Sequence, residues 1–329
     1  MLGRLRSAVV HARRRVLARS GPVARAVLYP NPWTSPSRAR VAHIARDAGI
    51  GDVVLCTPGL RALKAANPGG RVIFYTKFPE LVRGLPYIDE VLPFEDRPDG
   101  TPYMEYTKVV PSPAHIAQLL GDRMGVRVID TRPDCVVDPA AVTAYRAAWA
   151  HLPRPWVVVV RRASRFTPNK DWPMAAWDRL VTELCGWAGV IEIGSREDEI
   201  VPPPTNHLDL RGATTTAGMV AALAAADIHA GPVSGPLHIA AALRTPSVVV
   251  IGGYEHPDNT HYDGNIEFYT QVACAPCWLR TPCPFDIACL RAIQAADVAA
   301  AIRTVWAGMQ ANTARSDATD HPAEAAQPA

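Results

Sequence analysis

Apolar positions along this chain come in short bursts separated by polar turns, and their spacing switches between strand and helix periods. Arg40–Arg46 reads as a strand, residues 47–52 as a glycine-containing turn, and Val53–Ala66 as a helix that Pro68 stops. Arg71–Thr76, Glu90–Leu92, Tyr106–Val110 and Asp134–Val137 read as further strands. His115–Met124 reads as a helix, and residues 93–105, rich in Pro, Asp and Gly, as a loop. The helix Ala140–Ala150 and the segment Leu152–Pro155 form a passage to a second half. That half opens on Trp156–Val160, a continuous apolar run of the kind covered on both faces in a parallel sheet. Pro173–Gly186, Thr214–Ala226 and Asp297–Met309 then read as helices, and Val190–Ile193, Asp227–Ala230 and Ser247–Ile251 as strands. Strand and helix alternate throughout, so the expected fold class is α/β, with two doubly wound domains.

Length fits that division, because 329 residues correspond to about two domains. The hydrophobic fraction of 48% is that of a globular protein, and no apolar run approaches the roughly 18 residues of a membrane span. Arginines interrupt the apolar residues of the N-terminus, which leaves no cleavable signal pattern. The expected domains are a basic segment over 1–38, a first Rossmann-like domain over 39–150, a second over 151–310 and a disordered tail over 311–329.

Net charge is only +3, yet residues 1–46 hold no Asp or Glu while arginine recurs from Arg4 to Arg46. Leu5, Val9, Ala12 and Val16 fall at helical spacing, so this segment reads either as a basic amphipathic helix for an anionic membrane surface or as an unstructured leader. Nucleic acid is not expected, since no recognition module accompanies the charge.

Two turns carry candidate chemistry. Gly231–Gly253 packs a Gly/Pro/Ser loop, an Ala-rich helix and a strand into one run. Backbone N–H groups at Ser234 and Gly235, together with the helix dipole, make such a turn a ready anion site. Pro236 suits the first helical turn, and His238 faces the same space. The earlier turn carries Asp52 at its tip, either as a base in a cleft or as a cap of the following helix.

These residues also carry a resemblance. Ile50–Lys64, Leu85–Val91, Lys170–Pro173 with Trp177 and Leu180, and Ser234–Leu243 resemble, in order, motifs of glycosyltransferase family 9, the heptosyltransferases of lipopolysaccharide assembly. The resemblance implies a GT-B architecture, two Rossmann-like domains facing a cleft. It implies an inverting, metal-independent transfer from a nucleotide-diphosphate sugar such as ADP-heptose to a cell-envelope glycan or lipid-linked acceptor. It places the enzyme in the cytoplasm, with peripheral attachment to the inner face of the membrane as an extension. In that reading Asp52 is the catalytic base and Lys170 stabilises the diphosphate, helped by Arg161, Arg162 and Arg165. Ser164, Thr167, Ser234, Gly235, Pro236 and His238 bind the donor, and Glu199, chosen among Glu197, Asp198 and Glu199, holds the ribose. Without the resemblance, the Lys170 loop reads as an ordinary charged surface loop. Val233 departs from the family, which usually carries an acid there, so either the sugar differs, another group takes over, or transfer is lost. Tyr254, Glu255 and His256 follow the last of these strands and are expected to line the same pocket; acceptor contacts are expected over roughly 93–115.

Four of the seven cysteines, Cys274, Cys277, Cys283 and Cys289, fall in one short segment. They read as a structural zinc or iron site, as free thiols or as disulfides, and no cofactor is expected for catalysis itself. Two rivals accompany the transferase reading. One is a nucleotide-sugar-binding pseudoenzyme or assembly partner, suggested by Val233. The other is a nicotinamide-dependent oxidoreductase, which the lack of a Gly-x-Gly-x-x-Gly turn disfavours.

Overall fold

A computed structural model describes residues 40–163, 167–196, 203 and 205–320. The first half is built on three parallel strands, β1 (Val41–Ala45), β2 (Arg71–Thr76) and β3 (Glu90–Pro93), paired in that order. Tyr103 adds one parallel bridge to Ala45 on the free side of β1. The spatial order is therefore β3, β2, β1, then Tyr103, and chain direction across the sheet reverses at β1. Ligands of open α/β sheets bind at such a switch point, beyond the carboxyl ends of the strands. Helices α1 (Ile50–Val54) and α2 (Thr57–Ala66) follow β1 directly, and α3 (Ile116–Met124) packs on α2. Gly59 and Gly121 permit that approach: a Cβ on Gly59 would lie 2.7 Å from the Met124 sulfur. His115 caps α3 through Nδ1, and Gly125, at φ 74°, ends it in the left-handed conformation that glycine favours.

Tyr106–Val110 and Asp134–Val137 are not strands. Thr107 folds back on the Glu105 carboxylate and the Val109 amide on the Tyr106 carbonyl, which turns the first segment away from the sheet. In the second, the Asp134 amide is taken by the Thr57 hydroxyl and that of Val136 by the Leu81 carbonyl, so no ladder forms.

The second half holds six parallel strands in the order β6-β5-β4-β7-β8-β9, where β4 is Trp156–Val159, β5 Gly189–Glu192, β6 His207–Asp209, β7 Ile228–Pro232, β8 Ser247–Gly252 and β9 Ile266–Tyr269. This is the doubly wound 3-2-1-4-5-6 arrangement, with its switch point between β4 and β7. All of β4, β5, β7 and β8 is buried, which explains their near-continuous apolar sequence. Helices α5 (Met174–Cys185), α6 (Thr216–Ala225) and α7 (Gly235–Ala242) connect these strands. Between the halves, α4 (Pro139–Trp149) starts at an Asp138 cap, packs on α6 and sets Trp149 edge-on to Trp156. One apolar cluster accordingly runs from Ile44 and Phe74 through Trp149 to Val158 and Leu223.

After the four-residue α8 (Ala288–Arg291), the last helix, α9 (Ala295–Asp320), continues well past Met309, against the expectation of disorder from residue 311. The added turns contain no Gly or Pro until Pro322, so no helix breaker interrupts them before that point. The basic segment 1–38 and residues 321–329 lie outside the described residues. No helix among the described residues is long and apolar enough to cross a membrane.

Candidate functional site

The two switch points meet. A cavity of about 390 Å³ opens between them, with α1 on one side and the start of α7 on the other. At Gly51 the contact is backbone to backbone, where a Cβ would fall 2.8 Å from the Gly235 Cα, whereas a Cβ on Gly235 would meet the Ile50 side chain, nearest at its Cγ1. Only glycine at both positions allows the halves to close this far.

Asp52 lines the first wall. It is the third residue of α1, whose cap position is Gly49, and its side chain caps nothing. Instead Oδ1 takes a 2.6 Å hydrogen bond from Arg46 Nη2. Arg46 is buried, donates also to the Met104 carbonyl, and lies 5.2 Å from the Tyr103 ring centroid and 5.7 Å from that of Tyr106. Burial works to lower the Arg46 pKa, but Asp52, Cys56 and Tyr103 together more than offset it and hold the guanidinium above its ordinary value. Arg46 thus stays cationic and fixes Oδ1 of the Asp52 carboxylate, on which the Tyr106 hydroxyl also acts by hydrogen bonding. Tyr103, Glu105, Tyr106 and Thr107 continue this wall, within the loop where acceptor contacts were expected. Burial, followed by the nearby Asp52 and Glu255 carboxylates, raises the Tyr106 phenol well above its usual range.

The opposite wall carries Lys170, Ser234, Gly235 and His238. Ser234 occupies the cap position of α7 but donates to the Pro232 carbonyl and makes no cap bond, so the first-turn amides keep their capacity for an anion. Pro236 is buried in the first turn and does not face the cavity. His238 Nδ1 pairs with the Tyr262 hydroxyl at 2.8 Å, which leaves only Nε2 for a ligand. Burial, with His115 and Lys170 close by, pushes the His238 pKa well below its usual value and keeps the ring neutral. Lys170 ends the short helical turn Pro168–Lys170, lies 5.3 Å from the Tyr254 ring centroid and makes a 2.6 Å ion contact with Glu255.

Several expected donor contacts fall elsewhere. Thr167 is buried and donates to the Leu279 carbonyl, and Asn169 donates to the carbonyls of Leu279 and Thr281. Thr167 therefore anchors the Lys170 turn to the cysteine-rich segment rather than binding donor itself. That segment in turn sends Trp278 and Arg280 into the cavity. Arg161 is buried against Glu192, which also holds His207, and Arg162 pairs with Asp171 at 3.0 Å, so neither charge is directed at the cavity. Their partners come from neighbouring strands and loops, which spacing along the chain does not reveal. Ser164, Arg165, Glu197, Asp198 and Glu199 lie outside the described residues. Sequence reasoning missed Arg46, Tyr106, Tyr262, Trp278 and Arg280; the arginine six residues before Asp52, at the end of β1, was the one local signal available.

The four clustered cysteines share one lobe. Cys274, Cys283 and Cys289 line a hollow with Phe285, whose amide donates to Cys283 Sγ at 3.4 Å. All four are free thiols, and no three His, Cys, Asp or Glu side chains among the described residues converge closely enough to hold a metal ion. As arranged, the thiols supply a suitable donor set without the closed geometry of a metal site.

Two doubly wound halves whose switch points enclose one polar cavity define a GT-B glycosyltransferase architecture. The model of glycosyltransferase family 9 (heptosyltransferase) matches residues 111–281, just over half of the chain, and the chain belongs to that family. Among solved structures it is similar to a family 9 glycosyl transferase from Veillonella parvula, with 14% identity over 83% of this chain and 98% of that one at a TM-score of 0.62. It is equally similar in fold to the Escherichia coli ADP-heptose lps heptosyltransferase II, with 16% identity, 83% and 100% coverage and a TM-score of 0.62. A third relative in fold is the iron-containing dodecameric glycosyltransferase TibC from enterotoxigenic E. coli, with 17% identity, 82% and 76% coverage and a TM-score of 0.62. TibC is also described in complex with ADP-D-β-D-heptose. No curated protein matches the chain by sequence. The strand order of the second half would equally suit a dinucleotide enzyme; family membership is what separates the two.

Proposed function

We propose that this glycosyltransferase moves a sugar, heptose in the first instance, from a nucleotide-diphosphate donor such as ADP-heptose to a cell-envelope glycan or lipid-linked acceptor, with inversion. Residues 39–150 form the acceptor side and 151–310 the donor side. The observation that carries this reading is the cavity itself, where an oriented carboxylate faces a helix N-terminus, a lysine and a neutral histidine. The acceptor hydroxyl attacks the anomeric carbon as its proton passes to Asp52, and the bond to the diphosphate breaks. Lys170, the amides at Ser234 and Gly235, and His238 Nε2–H meet the charge that develops on the leaving group. Those groups supply the stabilisation that a bound divalent cation provides in metal-dependent transferases.

A thermal-shift panel with ADP, GDP, UDP, CDP and NAD tests the donor assignment. A ligand at 100 times its Kd adds about 2.7 kcal/mol to the folded state. A selective response to ADP is expected; a response to NAD alone, or to none of the five, overturns the assignment.

Two extensions go with this reading. The four-cysteine lobe holds a structural zinc or iron once its thiols close; metal analysis of protein purified without added metal checks this, and less than about a tenth of an equivalent ends it. Residues 1–38 attach the enzyme to an anionic membrane surface at the cytoplasmic face. Full-length protein should sediment with anionic vesicles and lose that binding when residues 1–20 are deleted; equal binding by the truncated chain removes the idea.

A further inference from the structure

Among the described residues three carboxylates line the cavity, and they are not equivalent. Asp52 is held by a directed hydrogen bond from Arg46, and Glu105 accepts from the amide and hydroxyl of Thr107. Glu255 is almost wholly buried, yet its Oε1 accepts no directed hydrogen bond among the described residues; the Lys170 ammonium sits 2.6 Å away at an angle that misses hydrogen-bond geometry. A buried carboxylate in that state is poorly satisfied. It lies just beyond β8, beside the lysine that faces the anion site, and close enough to Tyr106 for that phenol to sense both Glu255 and Asp52. Glu255 therefore borders Lys170 and lines the same cavity as Asp52. Val233, which borders the same space, offers only methyl groups.

We infer that Glu255 is the donor-sugar recognition residue, masked by Lys170 until a diphosphate arrives. This deepens the proposed function and rests on it. A diphosphate is a better partner for Lys170 than a misaligned carboxylate, because it brings more charge and adaptable oxygens. Once Lys170 turns to the phosphates, both Glu255 oxygens accept hydrogen bonds from sugar hydroxyls. Nucleotide and sugar thus act on Glu255 in opposite senses. The nucleoside diphosphate alone must break the ion contact, whereas the attached sugar gains from the freed carboxylate.

The test compares ADP with ADP-heptose by calorimetry on the full-length protein and on Glu255→Gln and Glu255→Ala. For the variants, ADP should bind as tightly as to the unaltered chain or a few-fold more tightly. The additional affinity of ADP-heptose over ADP should fall about tenfold, the scale of a hydrogen bond to a charged group. A misfolded variant would lose both ligands together, and unaltered thermal unfolding of Glu255→Gln guards against that outcome. If the increment due to the sugar is unchanged, or if both ligands weaken in parallel in a folded variant, Glu255 is not the sugar-binding group. If the unaltered chain binds neither ligand, the donor reading itself fails, and this inference with it.

Discussion

Asp52 shows how one local contact decides between two roles. An acidic residue just after a glycine turn commonly caps the next helix, but Gly49 occupies that position and Asp52 turns to Arg46. Asp52→Asn keeps the volume and one acceptor for Arg46 while removing the proton acceptor. Transfer should drop by about 10²–10⁴-fold, with ADP affinity little changed; near-normal turnover in a coupled ADP-release assay would remove Asp52 as base. The His238–Tyr262 pair makes a second residue-scale case. Burial pushes the Tyr262 phenol well above its usual range, so its hydroxyl keeps its proton, and His238 is the one hydrogen-bond partner shown for that group. Donating to Nδ1 satisfies the buried O–H, whereas accepting from Nδ1–H would strand it, so the favoured histidine tautomer carries its proton on Nε2, towards the cavity. Tyr262→Phe should turn the His238 ¹⁵N signals from a pure Nε2–H tautomer to a mixture and weaken ADP binding by about tenfold. An unchanged tautomer would mean that Tyr262 only packs.

At the scale of elements, the contact between α1 and α7 governs closure of the cavity. A methyl on Gly51 meets the Gly235 backbone, which cannot move without parting the helices, whereas a methyl on Gly235 meets chiefly the Ile50 side chain. Either Gly→Ala change should cost about 1–3 kcal/mol and lower transfer. Adding Ile50→Ala should restore Gly235→Ala but not Gly51→Ala; chemical denaturation and activity of the two double variants measure this. Both turns were legible in the sequence, because glycine, proline and a flanking apolar run mark a strand–turn–helix locally. So were the buried strands, as Trp156–Val160 shows. Tyr106–Val110 and Asp134–Val137 have strand-like composition, but their amides are claimed by the Tyr106 and Leu81 carbonyls and the Thr57 hydroxyl, and no window of sequence displays such competition. The short edge strands β6 and β9 are only half-buried and carry too weak a pattern to be seen. Site residues followed the same division. Asp52, Lys170, Ser234, Gly235 and His238 sit in recognisable turns and line one cavity, whereas Glu255 pairing with Lys170 and Thr167 pairing with Leu279 join segments about a hundred residues apart.

The whole molecule carries its titratable groups in a way that sets its pH range. His115 and His229 are buried and neutral, with pKa values lowered by burial to about 4 and about 3, and His238 is shifted in the same direction. In the unfolded chain these rings titrate near 6.5, so between that value and the folded pKa the unfolded state binds more protons. Stability is therefore complete above about pH 6.5 and is lost as pH falls. Each such ring contributes a slope of about 1.4 kcal/mol per pH unit. Carboxylates held below their usual range, Asp47, Asp89, Glu192 and Asp209 among them, extend the loss further into acid as they are protonated. On the alkaline side the Cys56 and Cys135 thiols are raised by burial to about 12, so they stay neutral in the fold and begin to cost stability only above the usual thiol value near 9. Against a total of about 5–15 kcal/mol, two or three such histidines remove a large share of the stability within two to three units below neutrality. The melting temperature should be flat from about pH 7 to 9, fall steeply below 6.5 and collapse near pH 4. Burial is the cause of the His229 shift, and among the described residues its hydrogen-bond partner is the Ser247 hydroxyl at 3.1 Å, so its share can be isolated. In His229→Gln the acid limb should lose the slope of one proton while the plateau keeps its width. A melting temperature that stays constant from pH 7 to 5 in the unaltered chain would mean that these histidines are hydrated rather than sealed in the core.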